Sequence, residues 1–256
     1  VLVVVLYVVS AGIYLAALIM DRSRLDIAGV SVLGLGMLLH VASLGVAVDQ
    51  SGFNSLLSIQ QFVSALALII GIGFMGLRGA YGLRSLGSFA VPLMVLLASV
   101  SLMADPGLAA PVAWRGHILL VHIIAALGGT AAFVLAGVTS IFYILQDRSL
   151  KQKRFGRLFH RLPSIDVLDR ANVRLITVGF LIYTLAIALG AFFAWDTETG
   201  LKVQYIFAMI SWLIYAAIIH ARATIGWRGR RAALMTVLAM SGLAAVLATY
   251  LAGAWA

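Results

Sequence analysis

The sequence has no cysteine, which excludes disulfides, thiol relays and the Cys-x-x-Cys-His pattern that attaches haem covalently. Charge is scarce as well. Asp, Glu, Lys and Arg make up 11% of the chain, against about 25% in a soluble domain. Acidic residues are almost missing from the apolar runs, so a proton or cation pathway built on carboxylates is not expected.

Apolar residues fill the space instead. They are 63% of the 256 residues, and they fall in runs long enough to span a bilayer, where about 20 residues are needed. The net charge of +9 invites a nucleic-acid reading. The positive charges, however, lie in short loops between apolar runs, where the positive-inside rule puts them. Nucleic acid is therefore rejected as a partner, and membrane lipid is the expected surrounding. The sequence starts at Val1 without Met, so a few upstream residues are expected. The first run lacks a small-residue cleavage site and reads as a retained helix.

The runs predict spans near Leu2–Met20, Ile27–Val48, Leu56–Leu77, Leu86–Ala104, Gly116–Leu145, Val173–Phe193, Val203–His220 and Ala232–Leu251. Turn and charge signals separate them, such as Asp105-Pro106-Gly107 and Gly226-Trp227-Arg228-Gly229. Of the 18 Lys and Arg residues, all but Arg115 and Lys202 fall in the odd-numbered loops or at their helix ends. The odd loops are then cytoplasmic and both termini lie outside. The expected fold class is an all-α polytopic transmembrane bundle of about eight spans, a single domain over 1–256. Residues 146–170 form a basic cytoplasmic loop. That loop, with Lys151, Lys153, Arg154, Arg157 and Arg161, suits an amphipathic helix on anionic lipid or a docking site for a cytoplasmic partner. Glycines inside the spans, among them Gly128, Gly129, Gly137 and Gly190, read as positions of close helix packing.

Ionisable residues within spans are expensive and are the first functional candidates. Here they are His40, His117, His122 and His220, with His160 in the basic loop. His40 stands eight residues before Val48, at the outer end of its span. His122 stands six residues after Gly116, at the outer start of its own. At about 1.5 Å per residue both imidazoles lie roughly 9–12 Å below the outer surface. Two neutral imidazoles at one depth on different helices suit a bis-histidine haem iron. Each could equally satisfy itself on a carbonyl or hydroxyl of a neighbouring helix. His117 is about 140° around the helix from His122 and sits at the boundary. His220 lies near the cytoplasmic end of its span, away from the other two.

Several segments carry a family resemblance. His220-Ala221-Arg222, followed by Gly226-Trp227-Arg228-Gly229-Arg230-Arg231-Ala232, resembles the end of the cytochrome c assembly protein superfamily, which includes the CcsA and ResC haem-handling proteins. Leu119-Leu120-Val121-His122-Ile123 resembles that family's external haem-ligand segment, and Gly52-Phe53-Asn54-Ser55-Leu56 the segment after its second span. The resemblance implies an external axial ligand at His122 and an intramembrane histidine of the haem path at His220. It also matches His40 to a second-span histidine of short members. Family members that attach haem carry a tryptophan-rich external loop ending in Trp-Asp. Here the loop is short and keeps one such pair, Trp195-Asp196. A second external histidine beyond the last span is missing. These departures resemble the shorter HemX and YpjD-like branch.

The implied cofactor is non-covalent haem b held between His40 and His122, in a bacterial inner membrane. Trp195 is either part of a haem cradle or an interfacial belt residue. Arg115 either pairs a haem propionate or snorkels to lipid phosphate. No bond-making group is evident, so the protein's part is orientation and axial ligation. Implied partners are haem and a cytochrome c assembly partner. Three other functions stay open: a scaffold acting on a haem-synthesis enzyme through the basic loop, a small transporter of haem or another amphiphile, and a quinone-linked b-type oxidoreductase, which would need a second haem at the depth of His220. The only hints of interrupted spans that a transporter would use are Pro92 and the Gly71 to Gly76 cluster.

Overall fold

A computed structural model describes residues 1–20, 23–51, 58–104, 116–153, 156–196 and 202–255. Long apolar sequences close their backbone hydrogen bonds within one segment when they form helices, and in lipid this is obligatory. The described chain accordingly forms α1 (Leu2–Met20), α2 (Ser23–Ser51), α3 (Ile59–Tyr81), α4 (Gly87–Met103), α5 (Gly116–Lys151), the short α6 (Arg157–Arg161), α7 (Ile165–Asp196), α8 (Val203–Thr224) and α9 (Arg230–Trp255). A 3₁₀ turn, Arg84–Leu86, precedes α4. Eight of these helices, all but α6, contain stretches long and apolar enough to cross a membrane. They carry large apolar side chains outward, such as Ile19, Leu38 and Leu181, each about two-thirds exposed or more. Lipid is the solvent that suits such a surface. The chain is a multi-pass all-helical membrane protein.

Most of the predicted spans match these helices to within four residues at each end, and two of the helices run on further. α5 continues past Leu145 to Lys151, and α7 begins at Ile165, eight residues before Val173. Hydropathy marks where the bilayer ends; the hydrogen-bond ladder continues while side chains find partners. Much of 146–170 is therefore helical, with Arg161 donating to the Leu18 carbonyl in the last turn of α1.

Two apolar cores share one wall. The first is built mainly from α1, α3, α4 and α5, around Tyr7, Tyr14, Ile70, Phe74 and Met94. The second joins α5, α7, α8 and α9 around Phe133, Tyr183, Tyr215 and Leu243. On α5, Leu127, Ala131, Leu135, Val138 and Phe142 recur at helical spacing and face the first core. Phe133 and Ala136 face the second, and the Phe133 ring stacks on Tyr215 at 3.6 Å.

The α5–α7 seam is the most extensive contact in the fold, and the pairing runs antiparallel in step. Asn172 meets Ala136 and Ser140 through hydrogen bonds of 2.8 and 2.7 Å. Gly179 lies against Ala132 and Phe133, and Gly129 against Tyr183. Small residues let the two backbones approach.

Ion pairs gather at the end of the bundle that carries the odd loops. Arg78 grips both oxygens of Asp26, joining α3 to α2, and Arg222 grips both oxygens of Asp169, joining α8 to α7. The Gly-Trp-Arg-Gly-Arg-Arg motif is the α8–α9 turn. Gly226 and Gly229 there have φ of 68° and 75°, a left-handed backbone that glycine adopts at no steric cost.

Candidate functional site

The seam places His122. It stands seven residues before Gly129, two turns along the same face of α5, so it points at α7. Its Nδ1 lies 2.7 Å from the Ala186 carbonyl oxygen. A carbonyl only accepts, so Nδ1 carries the proton and donates. Nε2 then presents its lone pair, and among the described residues it has no partner. Gly190, one turn beyond Ala186, lies beneath the imidazole.

His40 has different surroundings. It is 2% exposed, with Nδ1 3.0 Å from the Tyr7 hydroxyl and Nε2 2.7 Å from the Ser64 hydroxyl. One nitrogen donates and the other accepts, and either hydroxyl can play either part. The three side chains tie α1, α2 and α3 together inside the bundle.

Tyr7 is near the start of α1, Ser64 near the start of α3 and His122 near the start of α5. All three therefore lie toward the same end, opposite the ion pairs. His40, bonded to Tyr7 and Ser64, lies toward that end as well. α2 packs on α1 and α3, while α5 packs on α3, α7 and α9. Among the described residues no hydrogen bond or ring contact joins His40 to His122.

The remaining predicted residues stand apart. His220 is exposed, on the outward stripe of α8 with Leu213 and Ala217, and its carbonyl accepts from Thr224. Arg115 lies outside the described residues. Trp195 is in the last turn of α7, and its side chain lies outside the described residues, as does that of His117. The segment Gly52 to Leu56 is outside them too. His160 is exposed beside Phe159.

The residues that the sequence reading missed are the partners: Tyr7, Ser64 and Ala186. Nothing in a single sequence announces a carbonyl acceptor 64 residues away. Gly190 was visible only as a packing glycine.

A haem iron asks for an unprotonated imidazole nitrogen whose ring is oriented from its other side. His122 meets that requirement as it stands. His40 meets it only by giving up one of its two hydroxyls.

Comparison with known proteins agrees with this membrane architecture. The chain is 27% identical over 220 residues to a cytochrome c biogenesis protein CcsA of Guillardia theta, covering 76% of this chain and 72% of that protein. A CcsA of Parasynechococcus marenigrum is 31% identical over 183 residues, 61% of this chain and 59% of the relative. A CcsA of Synechococcus is 41% identical over 86 residues, 32% of this chain and 25% of the relative. The chain thus matches between a quarter and just under three quarters of these relatives' lengths. No solved structure matches it. The family model for cytochrome c assembly proteins matches residues 3–255, nearly the whole of the eight-span bundle, and the chain belongs to that family.

Proposed function

We propose that this protein handles haem in cytochrome c assembly, holding b-type haem non-covalently at the end of the bundle opposite the basic loops. His122 Nε2 would ligate the iron. The observation that carries this reading is the bond from His122 Nδ1–H to the Ala186 carbonyl, which fixes the tautomer that a metal needs and orients the ring. His40, toward the same end of the bundle, would be the second ligand once Ser64 releases its Nε2. When bound, haem would supply the iron that His122 and His40 would hold and two propionates for a cationic partner. This chain's residues would bind and orient it, with Arg115 as the proposed propionate partner and Trp195 as the proposed part of the haem cradle. In this reading the odd loops face the cytoplasm of a bacterium, the membrane is the inner one, and both termini lie outside.

The test is the absorption spectrum of protein purified in detergent, with and without added haem. A reduced b-type band is expected, lost in His122→Ala and stripped of low-spin character in His40→Ala. No band even after haem is added would sink the reading. Loss only in His220→Ala would move the site to the other end of the bundle.

A second reading rests on the exposed Lys151, which also pairs with Asp147 at 2.9 Å, and Lys153, in a loop tied to α1 by Arg161. They form a cationic surface for an acidic partner, such as a haem-synthesis enzyme. A pull-down that depends on Lys151 and Lys153 and ignores the histidines would favour it.

A further inference from the structure

We infer that Gly190 is a positioning residue for His122, a part of the site that no motif marks. The inference rests on the ligand role proposed for His122. In a regular α-helix the Ala186 carbonyl already accepts the Gly190 N–H, four residues on. A second donor must reach that oxygen from the side of the helix. The Cβ of residue 190 would border its path.

The spacing shows how tight that path is. A Cβ built on Gly190 would lie 2.9 Å from His122 Cε1, 3.4 Å from Nδ1 and 3.8 Å from Nε2. Real Cβ atoms do not come within 2.9 Å of another heavy atom, so an alanine here must displace the imidazole, and that displacement acts on the 2.7 Å Nδ1 bond. That bond is what leaves Nε2 unprotonated.

A glycine in a helix seam is usually there to bring backbones together, and the same interface offers the comparison. A Cβ on Gly129 would meet Tyr183 Cβ at 2.8 Å and its Cα and backbone N at 3.0 Å, atoms fixed to the backbone of α7. The nearest atoms to a Cβ on Gly190 all belong to the His122 ring. Gly190 thus makes room for one imidazole, not for a helix. Gly128, whose Cβ would meet only Ile182 at 3.6 Å, is the natural control.

The experiment uses the full chain in detergent with ¹⁵N-labelled histidine, free of haem. The His122 signal is the one missing from His122→Gln. In the native sequence it should show protonated Nδ1 and bare Nε2. Gly190→Ala should lose that signature, and titration with haem b should give affinity weaker by about 10- to 100-fold, the usual cost of losing a ligand's outer partner. Gly128→Ala should change neither. Gly190→Ala that keeps both the tautomer and the affinity overturns the inference. So does a native His122 protonated at Nε2, a measurement that stands even where the alanine variant fails to fold. If His122→Ala binds haem as the native chain does, the ligand role fails, while the tautomer change in Gly190→Ala still reports on Gly190 by itself.

Discussion

Arg78 holds Asp26 as a fork on a carboxylate, with Nη1 and Nη2 at 2.5 and 2.7 Å from its two oxygens. The side chains are 17% and 12% exposed, and Arg84 adds a longer contact at 3.7 Å. Removing one partner of a buried pair costs about 3–5 kcal/mol, because the other charge is stranded. Asp26→Ala is expected at the lower end of that range, about 3 kcal/mol, since both groups keep some access to water. Unfolding in mixed micelles measures it. Replacing both by leucine should recover more than half of the loss; a double variant no better than the single would show that the pair itself, and not the stranded cation, carries the stability.

Gly129 and Gly128 are neighbours with opposite prospects. Alanine at 129 would press its Cβ to 2.8 Å from Tyr183 Cβ and 3.0 Å from Tyr183 backbone atoms. Backbone cannot swing aside as a side-chain tip can. Overpacking of this kind costs about 1–3 kcal/mol. The melting temperature of Gly129→Ala should fall clearly, while that of Gly128→Ala stays near the native value. Equal melting for the two would mean that the α5–α7 seam is looser than described.

Ser64 decides what His40 can do. Its hydroxyl sits 2.7 Å from Nε2, and a hydrogen bond of this sort is worth a net of about 1 kcal/mol. If His40 is the second axial ligand, Ser64→Ala frees Nε2 and should raise the low-spin to high-spin ratio about fivefold, the equivalent of that ~1 kcal/mol. Reduced optical or electron paramagnetic spectra read it directly. A lower stability with no change in spin state would assign His40 to tying three helices together.

Much of the architecture could be read from the sequence because lipid makes apolar length a direct signal. Eight runs became eight helices. The ends of α5 and α7 escaped, since Arg148 and Asp166 are too polar for a span yet remain helical outside one. His122 was visible as an ionisable group in an apolar run. Its Ala186 acceptor was not, because any residue offers a carbonyl. That His40 and His122 lie toward one end of the bundle could be counted from helix ends. Which hydroxyls occupy His40 could not, since this depends on how α1 and α3 rotate against α2. The pairing of Arg78 with Asp26 was equally hidden: loop charge reports which side a helix end faces, and says nothing of which charges meet.

The wall that α5 supplies to both cores has a consequence for biogenesis. A membrane chain is inserted from its N-terminus, so α1 to α4 reach the bilayer before α5. Their core already has Tyr14, Phe74 and Met94 in hand and lacks one side, which α5 supplies on arrival. The second core has no member earlier in the chain than Phe133, so it starts only from a placed α5. His122 is then inserted well ahead of its acceptor on α7. Until Ala186 follows, its imidazole lacks the carbonyl that fixes the tautomer, and the form protonated at Nδ1 is set late in synthesis, when the seam closes.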